Sequence, residues 1–128
     1  MPHGARQDRQ RGQSLVELAL TLPALLLVLA LVLDIGRGVQ AYTVLVNAAR
    51  EGARYGSVHP TDTNGTIATT LNELQRSGLL PANATVLTSG SGEGNPFRVA
   101  VTYRLPLILG VVGGSHLTIT ADAEAVIF

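Results

Sequence analysis

The feature that most constrains this chain is an uncharged run over residues 18–33, in which nine of the side chains are Leu. At a rise of about 1.5 Å per residue an α-helix over that run is ~24 Å long. Adding Leu15, Val16 and Ile35 brings it near the ~30 Å of a bilayer's hydrocarbon layer. Its Leu and Val side chains together favour insertion by roughly 3–7 kcal/mol. Glu17 and Asp34 stand at the ends of the run, where charge costs less than at the midplane. A membrane-spanning helix is expected, and the rest of the chain is what that helix carries.

The chain has 128 residues, with nine basic residues, all Arg, against nine acidic ones, and no Cys. Scattered basic residues, zero net charge and scarce aromatics leave no footprint for a nucleic acid. Without Cys, disulfides and thiolate metal sites are excluded. His3, His59 and His116 lie far apart with no ligand spacing, so no metal or cofactor is expected. Ser115, His116 and Asp122 are residue types of a nucleophilic triad, but no nucleophile elbow frames the serine. The Gly-rich stretch 89–96 lacks both the G-x-G-x-x-G spacing and the strand-to-helix setting of a phosphate loop. The reading is a protein that is not an enzyme and has no small-molecule substrate.

Residues 1–11 are polar and without apolar periodicity, which predicts disorder. Arg6, Arg9 and Arg11 favour keeping that end in the cytoplasm. Only Arg37 lies close to the far side of the run, which places the C-terminal part outside. Ser14 and Glu17 have the S-x-x-E spacing of a capping box at a helix start. Pro23 removes a backbone donor and crowds the carbonyl of Ala19, predicting a kink near residues 19–23. Beyond Asp34 the helix is expected to continue to about residue 56. Ile35, Val39, Tyr42, Val46, Ala49 and Ala53 recur at spacings of three and four and predict its buried stripe. Gly56 and then Pro60 supply the stop.

A turn-rich loop at residues 61–66 precedes a short helix at about 66–77, with Ile67, Leu71 and Leu74 on one face and Gly78 as its stop. A first strand is predicted at 84–88 and a flexible turn at 89–96. A half-buried strand follows, with Phe97, Val99, Val101 and Tyr103 facing inward. A last strand alternates Leu117, Ile119, Ala121, Ala123, Ala125 and Ile127 against polar residues. Residues 106–114 form an apolar loop between them, expected either to fold into the core or to present a patch to a membrane or partner. The fold class is therefore α+β: a long N-terminal helix, membrane-spanning in its first half and amphipathic in its second, packed on a small antiparallel sheet with one short extra helix. The divisions are a cytoplasmic leader at 1–12, a transmembrane segment at 13–35, its amphipathic extension at 36–57, and an extracytoplasmic α+β domain at 58–128.

The segment Arg11-Gly12-Gln13-Ser14-Leu15-Val16-Glu17, followed by an apolar span with an early proline, resembles a type IV pilin-like leader. The span ends in Asp34-Ile35-Gly36-Arg37, and Asn47-Ala48-Ala49-Arg50-Glu51-Gly52-Ala53-Arg54-Tyr55-Gly56 follows. Together these resemble the TadE-like family, the minor pilins or pseudopilins of the tight-adherence (type IVc) pilus system. The resemblance implies cleavage after Gly12 by a prepilin peptidase, making Gln13 the new N-terminus and Glu17 the carboxylate four residues beyond it. Residues at i and i+4 share a helix face, so Glu17 would reach its own amine or a neighbour's and set subunit register. Leu18 stands where many relatives carry an aromatic residue. The implied partners are the membrane, the peptidase, other pilin-like subunits and the assembly platform. The implied location is the bacterial inner membrane, with entry into a pilus. The alternative is a secreted or membrane-tethered small binding domain with no pilus role, in the secreted case cut by signal peptidase at Val39-Gln40-Ala41.

Overall fold

The computed structural model describes residues 4–90 and 94–127. Expectations for residues 1–3, His3 included, and for the middle of the 89–96 turn lie outside the described residues. The elements are α1 (Gly4–Val58), α2 (Thr63–Arg76), a 3-10 turn (Pro81–Asn83), β1 (Ala84–Ser89), β2 (Pro96–Pro106), the single turn α3 (Gly110–Gly113) and β3 (His116–Val126). The chain is thus α+β, with a three-stranded antiparallel sheet in the order β1-β2-β3.

Helix α1 begins at Gly4, well before Ser14, so the expected disorder over the polar N-terminal segment is corrected for its residues 4–11. That segment holds three Arg, two Gln and one Ala, all good helix formers. Once the apolar run has formed a helix, each residue added to its end costs no new nucleus. Ser14 and Glu17 consequently lie inside α1, not at its start, in the intact chain. The helix stays helical on both sides of Pro23. Within the apolar run, the Thr21 hydroxyl donates to the carbonyl of Glu17 at 2.6 Å, which hides a polar group from the surroundings.

Only the upper part of α1 is covered by the rest of the chain. Its buried face is Ala41, Leu45, Ala48, Ala49, Gly52, Ala53, Gly56 and Ser57. This corrects the expected stripe: Ala49 and Ala53 are buried, but Ile35, Val39 and Tyr42 are exposed and Val46 is half-buried. Small side chains decide the matter because they let the backbone come close. A Cβ built on Gly56 would strike the Phe97 ring, with Cζ at 2.6 Å. One built on Gly52 would collide with the Thr70 hydroxyl and touch Val99.

On the sheet, the inward residues of β2 are all large and buried: Phe97, Val99, Val101, Tyr103 and Leu105. Their register partners on β3 are Ala125, Ala123, Ala121, Ile119 and Leu117. Toward one end large faces small, which leaves room for α1 to lie across the β2 side chains. Strand β2 runs antiparallel to α1, since Phe97 meets Gly56 whereas the carbonyl of Pro106 meets Arg37. The β2–β3 connection therefore points down toward the apolar half of α1.

Helix α2 starts three residues earlier than expected, with Asp62 as its N-cap accepting from the Gly65 amide at 2.9 Å. It buries Thr66, Thr70 and Leu74, whereas Ile67 and Leu71 are only half-buried. Each buried threonine donates its hydroxyl to the carbonyl four residues back, Asp62 and Thr66 respectively, so neither carries an unmet donor inside. Gly78, at φ 84°, ends the helix: its amide bonds Gln75 O and the Leu79 amide bonds Leu74 O, the paired bonds of a Schellman cap.

Candidate functional site: the exposed apolar helix and its junction with the head

Two regions of α1 carry the features a function can use. The first is the run from Leu15 to Leu33, whose large apolar side chains are all exposed. Among the described residues, only Leu31 at the upper end shares a groove with the β2–β3 connection, and the helix is long and apolar enough to cross a membrane. Sustained exposure of Leu and Val around the whole circumference is what a helix needs when its solvent is lipid.

The second region is where this run meets the sheet. Asp34 is 5% exposed. Its carboxylate accepts from the backbone amides of Ile108 at 2.8 Å and Leu109 at 3.0 Å, and pairs with Arg37 at 3.3 Å. Arg37 also donates to the carbonyl of Pro106 at 3.0 Å. A buried carboxylate is tolerable because its lone pairs are met by two amides and a guanidinium. The expected apolar loop is thereby tied to α1, and part of it forms α3, which ends at Gly114 with φ 68°. Leu117 lies over Gly38, where a Cβ would make an ordinary contact with its Cδ2 at 3.6 Å. The sequence reading placed Asp34 only at the end of a span. The signal that could have found it is an acidic residue at the mouth of an apolar helix, facing an apolar loop with no partner for its own amides.

At the far end of α1, the Tyr55 hydroxyl donates to Asp62 at 2.9 Å, and the Tyr55 and His59 rings stack 4.6 Å apart. The Gly65 amide and then the Tyr55 hydroxyl hold the Asp62 carboxyl below its ordinary range. The same hydrogen bond to Asp62, with desolvation added, pushes the Tyr55 phenol up.

The residues singled out in the sequence are not brought to one place. Gly12, Gln13 and Ser14 lie consecutively inside α1, with Glu17 one turn on. Pro23 is in the exposed run. In the segment 47–56, Ala49, Gly52 and Ala53 are core, Asn47 and Arg50 are exposed, and Glu51 pairs with exposed Arg54 at 2.7 Å. The Arg54 guanidinium holds the Glu51 carboxyl below its ordinary range. Among the described residues, no group of three or more His, Asp or Glu is placed to hold a metal.

No curated protein and no solved structure matches the chain. Residues 12–54 match the family model described as TadE-like protein, the family that the N-terminal motifs resemble. That match covers most of α1, so over this segment the chain is similar to TadE-like proteins.

Proposed function

We propose that this protein is a membrane-anchored minor pilin or pseudopilin that takes part in assembling a tight-adherence pilus. The observation that carries the reading is the exposed apolar run of α1 within a TadE-like segment that begins at Gly12. The lower half of α1 holds the subunit in the bacterial inner membrane, N-terminus in the cytoplasm and sheet domain outside. A prepilin peptidase cuts after Gly12. Cleavage there moves Ser14 and Glu17 from the interior of α1 to its first turn, where the S-x-x-E spacing caps freed amides and a carboxylate meets the positive end of the helix dipole. Glu17 then pairs with a Gln13 amine, its own or a neighbour's, and sets register as the oily half-helix passes from lipid into contact with other pilin-like helices on the assembly platform.

The test is the N-terminal residue of protein recovered from cells with and without the peptidase. Gln13 is expected with it and Met1 without it. Met1 in both preparations removes processing from the account and leaves a tethered module.

A further inference from the structure

The junction carries a second surface. Leu31, Ile35, Gly38 and Val39 of α1, with Leu107, Leu109 and Leu117 from the β2–β3 connection, line an open groove of about 350 Å³ beside Asp34. Ile35 and Val39 are exposed on its helix side and Leu117 on its sheet side, and Ile108 is exposed at the tip of the connection. We propose that this groove and the tip of the β2–β3 connection are seated in the outer leaflet of the bilayer, their occupant being lipid acyl chains, so that the head grips the membrane at a second point beside its spanning helix. The proposal rests on the reading that α1 crosses the membrane.

Depth along α1 argues for lipid. With Leu15 at one boundary, a hydrocarbon layer of ~30 Å ends about twenty residues later, near Ile35. The amides of Ile108 and Leu109 bond the carboxylate of Asp34, so the tip is held at that level and cannot stand above it. Its backbone is prepared for a dry setting. Besides those two amides, the Leu107 amide bonds Ser115 O and the Gly110 amide bonds Leu107 O. Lipid-exposed irregular backbone is excluded from the hydrocarbon core, so the tip sits at its boundary with these amides met internally. Charge agrees with this placement. Arg104 and His116 lie at the same end of the sheet, opposite Thr118 and Pro106 in the ladder, and Arg37 stands beside Asp34. Arginines just above an apolar tip suit anionic headgroups.

The chain contains no Trp, so a single introduced Trp reports its own surroundings. Four full-length variants are placed separately in vesicles of ordinary or brominated phosphatidylcholine and phosphatidylglycerol: Ile108→Trp, Leu117→Trp, Leu26→Trp in the span, and Leu87→Trp on the outer face of β1. Brominated chains are expected to quench Ile108→Trp and Leu117→Trp to an extent comparable with Leu26→Trp, and to leave Leu87→Trp unchanged. If Leu26→Trp is quenched while both groove reporters emit as water-exposed Trp, the seating is wrong and the anchor stands. If the groove reporters emit in the blue but escape quenching, protein covers them, and the groove belongs to a second copy or another subunit. If Leu26→Trp itself escapes quenching, the spanning helix fails and the seating fails with it.

Discussion

Asp34 and Ile108 are 74 residues apart, and the Asp34 carboxylate accepts the Ile108 amide at 2.8 Å. This contact joins the top of the apolar helix to the lower tip of the sheet, and Leu109 and Arg37 complete it. Without it the β2–β3 connection would be attached to α1 only by the Arg37 bond to the Pro106 carbonyl and by apolar contact. Replacing Asp34 by Ala leaves two amides with no acceptor, and Asp34→Asn keeps a single carbonyl oxygen. Amide exchange at Ile108 and Leu109 should accelerate by about tenfold or more in Asp34→Ala and by less in Asp34→Asn. Hydrogen exchange read peptide by peptide checks this, with the β1 peptide as an unmoved reference.

Close approach of α1 to the sheet depends on glycine at a few positions only. A side chain on Gly56 meets the Phe97 ring, whereas Gly36 has nothing within 4 Å of where its Cβ would be. Gly56→Val should destabilise the head by about 1–3 kcal/mol through overpacking. Gly36→Ala should be stabilising by up to about 1 kcal/mol, since it removes a flexible residue from a helix interior without a clash. Thermal unfolding of the two variants in the same detergent should move in opposite directions.

The buried face of α1 can be tested against the one that hydrophobic spacing predicts. Leu45 is fully buried and Val39 is exposed. Leu45→Ala should cost about 2–5 kcal/mol, and Val39→Ala should stay within about 0.5 kcal/mol in unfolding of the detergent-solubilised protein. Equal losses at both positions would restore the spacing-based stripe.

The Tyr55–Asp62 contact gives a pH dependence with a definite sign. Asp62 is held below its ordinary value in the folded chain, so its contribution is present above the unfolded value of about 3.9 and is lost as pH falls through the folded one. Tyr55 is raised. Its contribution is present below the unfolded value of about 10 and is lost as pH rises through the folded one. The melting temperature of the native chain should exceed that of Tyr55→Phe at neutral pH, with the gap closing at both extremes. A gap that persists at acid pH would detach the effect from Asp62.

How much of this was legible in the sequence depends on which physical signal each part emits. The apolar run, the inward alternation of β2 and of β3 from Ile119 on, and the Gly78 stop all announce themselves through side-chain hydrophobicity or a turn residue, and the structure places them as read, with Leu117 at the start of β3 exposed. The helix face did not. Ala48, Gly52 and Gly56 have little hydrophobicity to count, so the large residues Ile35, Val39 and Tyr42 captured the periodic signal although they face outward. Thr66 and Thr70 were missed for a related reason, because their burial depends on hydroxyls bonding back to their own helix. Asp34 required knowing what lies 74 residues away, which no local pattern holds. The early start of α1 shows propagation from a strong helix overriding a polar composition.

The central claim is that the lower half of α1 is solvated by lipid. The direct measurement is flotation of cell membranes after an alkaline carbonate wash, following the full-length chain beside a variant with Leu26→Arg and Leu29→Arg. The native chain should float with the lipid and the double variant should be depleted from it. Recovery of the native chain in the washed soluble fraction would contradict the account.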